Sequence, residues 1–396
     1  MISIYIAAAF WLFLALLSTF ISNRLKISMA LMEIITGAVI GFIAFKLNAT
    51  SKLALDAEWL KFCAGLGAIM LTFLAGTELK PETMKSKIKE VSVVGLVGFF
   101  APFIGCSLLA YFVFDWSLRA SLLAGIALST TSMAVVYSVM LEYGFNKTEY
   151  GKGILGACFI NDLGTVICLG LIFAPFNYKT LIFVGVTVLL IFVLPPITRY
   201  LINRYAYRTA AIRTKWILFV LLSMGVLAAW SGSEPVLPAY IIGMLLANIM
   251  EEDNHLVRRL RTMTVGFLTP LYFLRAGALM SLPALLAAPL VFIVLLLGKV
   301  AFKIFGLFPV IGSFKEDKRE KWYYTLLMST GLTFGTISAL YGLTHKIITP
   351  EQYSFLVGAV IASAVIPTLI ANKFFLPHHL LKAPVLDDQA PEIGDK

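Results

Sequence analysis

The stretch Gly151–Phe173 reads GKGILGACFINDLGTVICLGLIF. It is apolar enough and long enough to cross a bilayer as one helix. At its midpoint stand Asn161 and Asp162, side by side. An ionisable group at the bilayer centre costs a few kcal/mol on insertion scales. Desolvation penalises the charged carboxylate, so a proton or a bound cation must neutralise it. Asp162 is therefore read as an oxygen pair for which protons and cations compete.

The composition fits that reading. Of the 396 residues, 59% are hydrophobic and only 14% charged, and mean hydropathy is +0.88. A soluble core cannot hide so much apolar surface. Apolar runs of about twenty residues recur along the chain, the pattern of a multi-pass membrane protein with a retained first span. The net charge of +10 sits in short loops between spans. It thus records which loops stay in the cytoplasm rather than a nucleic-acid partner. Cys63, Cys106, Cys158 and Cys168 lie inside apolar segments without metal or redox spacing, so they are packing residues.

The pattern predicts an all-α membrane protein with about thirteen transmembrane helices. Residues 1–175 would form a first six-helix repeat, 176–200 a linker helix, 201–376 a second repeat, and 377–396 a short cytoplasmic tail. Most Lys and Arg fall in inner loops and tail if the N-terminus is outside and the C-terminus cytoplasmic. The two repeats then run in opposite senses, an architecture common among secondary transporters. Phe73-Leu74-Ala75-Gly76 in span three and Phe273-Leu274-Arg275-Ala276-Gly277 in span ten are a faint echo of it.

A stronger echo lies in spans five and twelve. Span five carries Ser129-Thr130-Thr131-Ser132 at mid-depth, and span twelve carries Ser329-Thr330-Gly331-Leu332-Thr333-Phe334-Gly335-Thr336. Consecutive hydroxyl residues compete for backbone hydrogen bonds and glycine weakens a helix. Matching interruptions in two halves predict two discontinuous helices meeting at a central site, with half-helix ends supplying partial charges beside Asp162. Small residues that merely permit close helix packing are the bland alternative.

Other polar residues inside spans need partners. Asn161 offers an amide oxygen to a cation or a hydrogen-bonding group to the backbone. Adjacent helical residues point about 100° apart, which favours the second. Lys299, in LLLGKVAF of span eleven, needs an acceptor, either the core carboxylate or the broken helices. Arg275 cannot shed its charge and must find a carboxylate or several carbonyls, with Glu78 a candidate partner in a structural ion pair. Glu33 is a further intramembrane acid, structural or lining a pathway.

Five segments together resemble the second monovalent cation:proton antiporter family, bacterial sodium–proton or potassium–proton exchangers. They are FLAGTELKP (Phe73–Pro81), ALSTTSMAVVY (Ala127–Tyr137), GACFINDLGT (Gly156–Thr165), LGK (Leu297–Lys299) and MSTGLTFGT (Met328–Thr336). The resemblance covers nearly the whole chain except the tail. It implies the antiporter fold, no cofactor, and a homodimer in the inner membrane whose mobile core carries the site across like an elevator. Asp162 then matches the cation- and proton-binding aspartate, with Asn161, Thr131 and Ser132 around it. Thr131 and Thr333 fall at the crossings of the broken helices, with Thr130 and Gly331 supporting them, and Lys299 matches the basic residue facing them. Asn161 occupies the place of a second aspartate in charge-moving members, so the resemblance implies electroneutral exchange. Many potassium-exporting relatives carry a nucleotide-sensing C-terminal domain, which is not expected in the short stretch after span thirteen.

The expected function is exchange of Na+ or K+ for H+ by competition at Asp162. A sodium-coupled symporter of a small organic anion is the alternative, and a channel or sensor on the same scaffold a third. No nucleophile–base arrangement, P-loop or zinc-ligand spacing points to an enzyme.

Overall fold

The computed structural model describes residues 2–25, 29–47, 53–77, 87–145, 148–173, 178–205, 211–233, 235–252 and 254–380. Glu78 lies outside them. Among the described residues, ten helical segments are long and apolar enough to cross a bilayer. In chain order the helices are α1 (Ile2–Leu25), α2 (Met29–Lys46), α3 (Glu58–Thr77), α4 (Ile88–Phe112), α5 (Leu118–Ser129), α6 (Met133–Glu142), α7 (Glu149–Phe173), α8 (Tyr178–Tyr205) and α9 (Ile212–Ser231). There follow α10 (Val236–Glu252), α11 (Asn254–Met263), a π turn over Thr264–Leu268, α12 (Thr269–Ala278), α13 (Leu282–Ala287), α14 (Pro289–Gly312), α15 (Lys318–Met328), α16 (Thr333–Thr344) and α17 (Pro350–Phe374). The thirteen expected spans are all present once α5–α6, α11–α12 and α15–α16 are each taken as one interrupted pass.

Two helix starts follow from local packing and chain geometry. The helix leading into the Phe273–Gly277 segment begins at Asn254, where Leu256 and Leu260 are buried against the neighbouring core. The chain breaks at Ala288 and restarts at Pro289, whose fixed φ suits a first helical position. The restarted helix runs to Gly312 and buries both Lys299 and Lys303.

The helices form two groups. In one, α4 packs on α5, α7 and α14, with α15–α16 and α17 completing the group. In the other, α3 packs on α10, α2 on α12 and α1, and α8 on α9. Short α13 touches both groups through α17 and α2. Helix α8 is the least covered of the long helices, as a linker facing lipid would be.

The second group is held by backbone-to-backbone approaches that only glycine permits. A Cβ on Gly76 of α3 would stand 2.6 Å from the Tyr240 carbonyl oxygen, and one on Gly243 of α10 would press on the Phe73 carbonyl. The other pair repeats this arrangement: Gly277 of α12 faces the Ile34 carbonyl, and Gly37 of α2 faces the Leu274 carbonyl. Gly76 and Gly277 are the glycines of the two echoing segments. Overpacking such a contact costs about 1–3 kcal/mol. Gly37→Ala and Gly277→Ala are therefore expected to lower the melting temperature in detergent. Gly185→Ala, with nothing near its Cβ position, should leave it unchanged or raise it, because alanine is the better helix former.

Candidate functional site

The site begins with two helices that stop at mid-depth. At the end of α5, Ser129 and Thr130 turn their hydroxyls back to the carbonyls of Ile126 and Ala127. At the end of α15, Ser329 and Thr330 do the same to Thr325 and Leu327. Hydroxyls that satisfy the last turn's carbonyls relieve the chain of continuing the helix. Thr130 is then extended (ψ 149°), and Leu332, before α16, leaves the helical region (φ −156°, ψ −79°).

The two breaks cross and are tied together. Ser132 N–H donates to the Thr330 carbonyl at 3.1 Å, and Thr131 Oγ1 donates to the Met328 carbonyl at 2.8 Å. Ser132 Oγ accepts from the Val135 N–H and so caps the restarted α6. The sequence expectation of two discontinuous helices meeting centrally holds.

Asn161 and Asp162, on α7, lie against this crossing and divide its demands. The Asn161 amide is engaged at both ends: Nδ2 donates to the Ser129 carbonyl (3.3 Å) and Oδ1 accepts from the Thr131 N–H (2.9 Å). It thereby replaces backbone bonds that the break in α5–α6 would leave orphaned. Asp162 is 1% exposed, and its Oδ1 accepts no hydrogen bond among the described residues. A buried carboxylate oxygen without a donor is costly unless something charged or protic reaches it.

Two lysines of α14 enter from the far side, both fully buried. Lys299 Nζ donates to the Thr130 carbonyl at 3.1 Å, placing positive charge at the negative end of α5. Gly331 is required by that placement: a Cβ there would press on the Lys299 ammonium and lie 3.2 Å from Thr130 Oγ1. Lys303, one turn on, donates to Thr131 Oγ1 at 2.9 Å. A chain of donors thus runs from Lys303 through Thr131 to the Met328 carbonyl at the end of α15. Lys303 also stands within electrostatic reach of Asp162.

Asp162, Asn161, Thr130, Thr131, Ser132, Gly331 and Lys299 therefore come together. Thr333 opens α16 at the rim and is half-buried. Arg275 lies elsewhere, its Nε donating to the Leu55 carbonyl at 2.9 Å. Glu33 is buried in α2, away from the crossing, with Oε1 unpartnered among the described residues. Lys303 escaped the sequence reading. The signal for it was an i, i+4 lysine pair within one apolar run, which puts both ammonium groups on one helix face. Among the described residues no group of three or more His, Cys, Asp or Glu gathers.

The transmembrane sodium/hydrogen exchanger family model matches residues 12–374, nearly the whole chain. The chain belongs to the sodium/hydrogen exchanger family. This exchanger is similar to the "Probable Na(+)/H(+) antiporter 3" of Methanocaldococcus jannaschii, 25% identical over 81% of this chain and 84% of that one. It is also similar to the Na(+)/H(+) antiporter NhaS4 of Synechocystis, 24% identical over 88% of this chain and 91% of the relative. The glutathione-regulated potassium-efflux protein KefC of Shigella flexneri is 23% identical over 94% of this chain, which spans 62% of KefC's length. The fold matches that of the sodium proton antiporter MjNhaP1 from Methanocaldococcus jannaschii, with a TM-score of 0.71, 17% identity, and coverage of 94% and 99% of the two chains. The exchanger is a multi-pass membrane antiporter of cations and protons and not an enzyme.

Proposed function

We propose that this exchanger trades one monovalent cation, Na+ or K+, for one proton, and that the two compete for the Asp162 carboxylate. The observation that carries this reading is the buried, unpartnered Oδ1 of Asp162 beside the crossing of two broken helices. Asn161, Thr130, Thr131 and Ser132 hold the crossing in shape, while Lys299 and Gly331 fix its basic side. Exchange is electroneutral, because asparagine rather than a second acid stands next to Asp162. One negative charge can take one positive charge at a time.

The mirrored glycine contacts of α3 on α10 and α12 on α2 support two inverted repeats, residues 1–175 and 201–376, joined by α8. The division into two helix groups supports an elevator motion of the group bearing Asp162 against the other. The protein works as a homodimer in a bacterial inner membrane, N-terminus outside and C-terminus in the cytoplasm, as the excess of basic residues in inner loops favours.

The test is a reconstituted vesicle assay that adds Li+, Na+ or K+ in turn and reads lumenal pH, with and without a clamped membrane potential. The expected result is a proton flux with Na+ or K+ that the clamp does not change. A flux that follows the potential overturns electroneutrality. Cation uptake that needs an organic anion, with no proton counterflow, overturns the exchange reading itself.

A further inference from the structure

Tyr240 lies in α10, in the helix group that does not hold the crossing, yet it reaches the candidate site. Its backbone is pinned to α3. The Tyr240 carbonyl occupies the space against Gly76, and Gly243, one turn on, abuts the Phe73 carbonyl. Its side chain extends into the other group and is fully buried there. The ring stacks on Phe159 of α7, with centroids 5.3 Å apart and planes 18° apart, and meets Phe334 of α16 edge-on at 5.9 Å. Its hydroxyl donates to the Phe159 carbonyl at 3.4 Å. Asp162 is within electrostatic reach of that hydroxyl.

These three rings have a definite place along α7. Phe159 precedes Asp162 by three residues, on the Glu149 side. A cavity of about 600 Å³, bordered by Arg119, Phe173, Gly232 and Tyr341, opens at the opposite end of the same helix. That cavity ends at Phe173 and does not touch Asp162, which is buried, and on the Glu149 side of Asp162 the buried rings of Phe159, Tyr240 and Phe334 pack together. Stacked and edge-on rings have no polar edge to offer a passing ion beyond one tyrosine hydroxyl, and that hydroxyl is spent on a carbonyl.

We propose that Tyr240 is the barrier residue of the exchanger, a side chain held by the α3–α10 pair whose ring seals the Asp162 site from the aqueous phase at the Glu149 end of α7. The role rests on the reading of Asp162 as the exchange site. Tyr240 touches neither ion; it positions the seal through Phe159 and Phe334. The ring carries the role and the hydroxyl only trims it, since a hydrogen bond as long as 3.4 Å is weak.

The experiment separates the seal from the exchange by working in an exchange-dead background. The full chain is reconstituted as D162N, D162N/Y240A, D162N/Y240F and D162N/Y240W, and voltage-driven proton and cation fluxes are recorded. D162N and the two variants that keep a ring should be tight, and D162N/Y240A should leak at least about tenfold more. With Asp162 intact, Y240F should change turnover by less than about fivefold with the KM for the cation unmoved. Where Y240A does not survive extraction as a monodisperse protein, Y240L replaces it, with a leak of at least about threefold. A D162N/Y240A protein that melts normally and is as tight as D162N overturns the barrier role. If D162N alone still exchanges, the Asp162 reading fails instead, and the barrier role that rests on it fails with it.

Discussion

Asp162→Asn is expected to abolish coupled exchange while leaving a folded, extractable protein. Asparagine keeps the shape of the side chain but can neither take up a proton nor carry the charge that attracts a cation. Both halves of the exchange vanish with the one negative charge, so no compensating pathway remains. Activity in proteoliposomes should drop by more than about 100-fold, which corresponds to about 2.7 kcal/mol. The melting temperature should hold or rise, because a buried carboxylate with an unpartnered oxygen is itself a cost to folding. Coupled flux at the level of the unaltered protein would remove Asp162 from the centre of the mechanism.

Lys303→Met is the second large effect, and its sign can be worked out without knowing which cation is carried. Lys303 puts positive charge near Asp162 without pairing with it directly, its ammonium being bonded to Thr131 Oγ1. At an effective dielectric near 20, two unit charges at ordinary side-chain separations interact by roughly 1–4 kcal/mol. Removing Lys303 strengthens the hold of Asp162 on any positive ligand, and a proton and a monovalent cation benefit alike. At alkaline pH, where the proton does not compete, the KM for the cation should fall by about tenfold. The pH at which acid halves the activity should rise by about one unit. At acid pH both changes cancel, and the apparent KM should match that of the unaltered protein. A KM that falls equally at every pH would show that Lys303 competes with the cation alone. A uniform loss of turnover would show that it serves the Thr131–Met328 relay and not the charge balance.

The parts of this protein that follow from local rules were legible in its sequence. About twenty apolar residues are needed to cross a bilayer, so the spans stand out one by one. Consecutive hydroxyls at equal depth in two spans announced the broken helices, because Ser and Thr satisfy the backbone wherever a helix stops. Asn161 was separable from Asp162 by the angle between neighbouring helical positions, and its amide indeed bridges Ser129 and Thr131. What escaped depended on contacts across the fold. Lys303 in an apolar run looks like a residue on its way to water, and only the packing of its face of α14 against the crossing shows it buried beside Thr131. Tyr240 reads as one more aromatic in a span until α7 and α16 are seen beside it. For Arg275 the carbonyl alternative is seen, in its bond to Leu55, while Glu78 lies outside the described residues.

The bonds from Ser132 N–H to the Thr330 carbonyl and from Thr131 Oγ1 to the Met328 carbonyl tie the two interrupted helices to each other. Neither half can shift without straining its partner. On the exchange reading proposed above, the two would therefore be carried as one piece, and a substitution in either break should disturb the ion site through both.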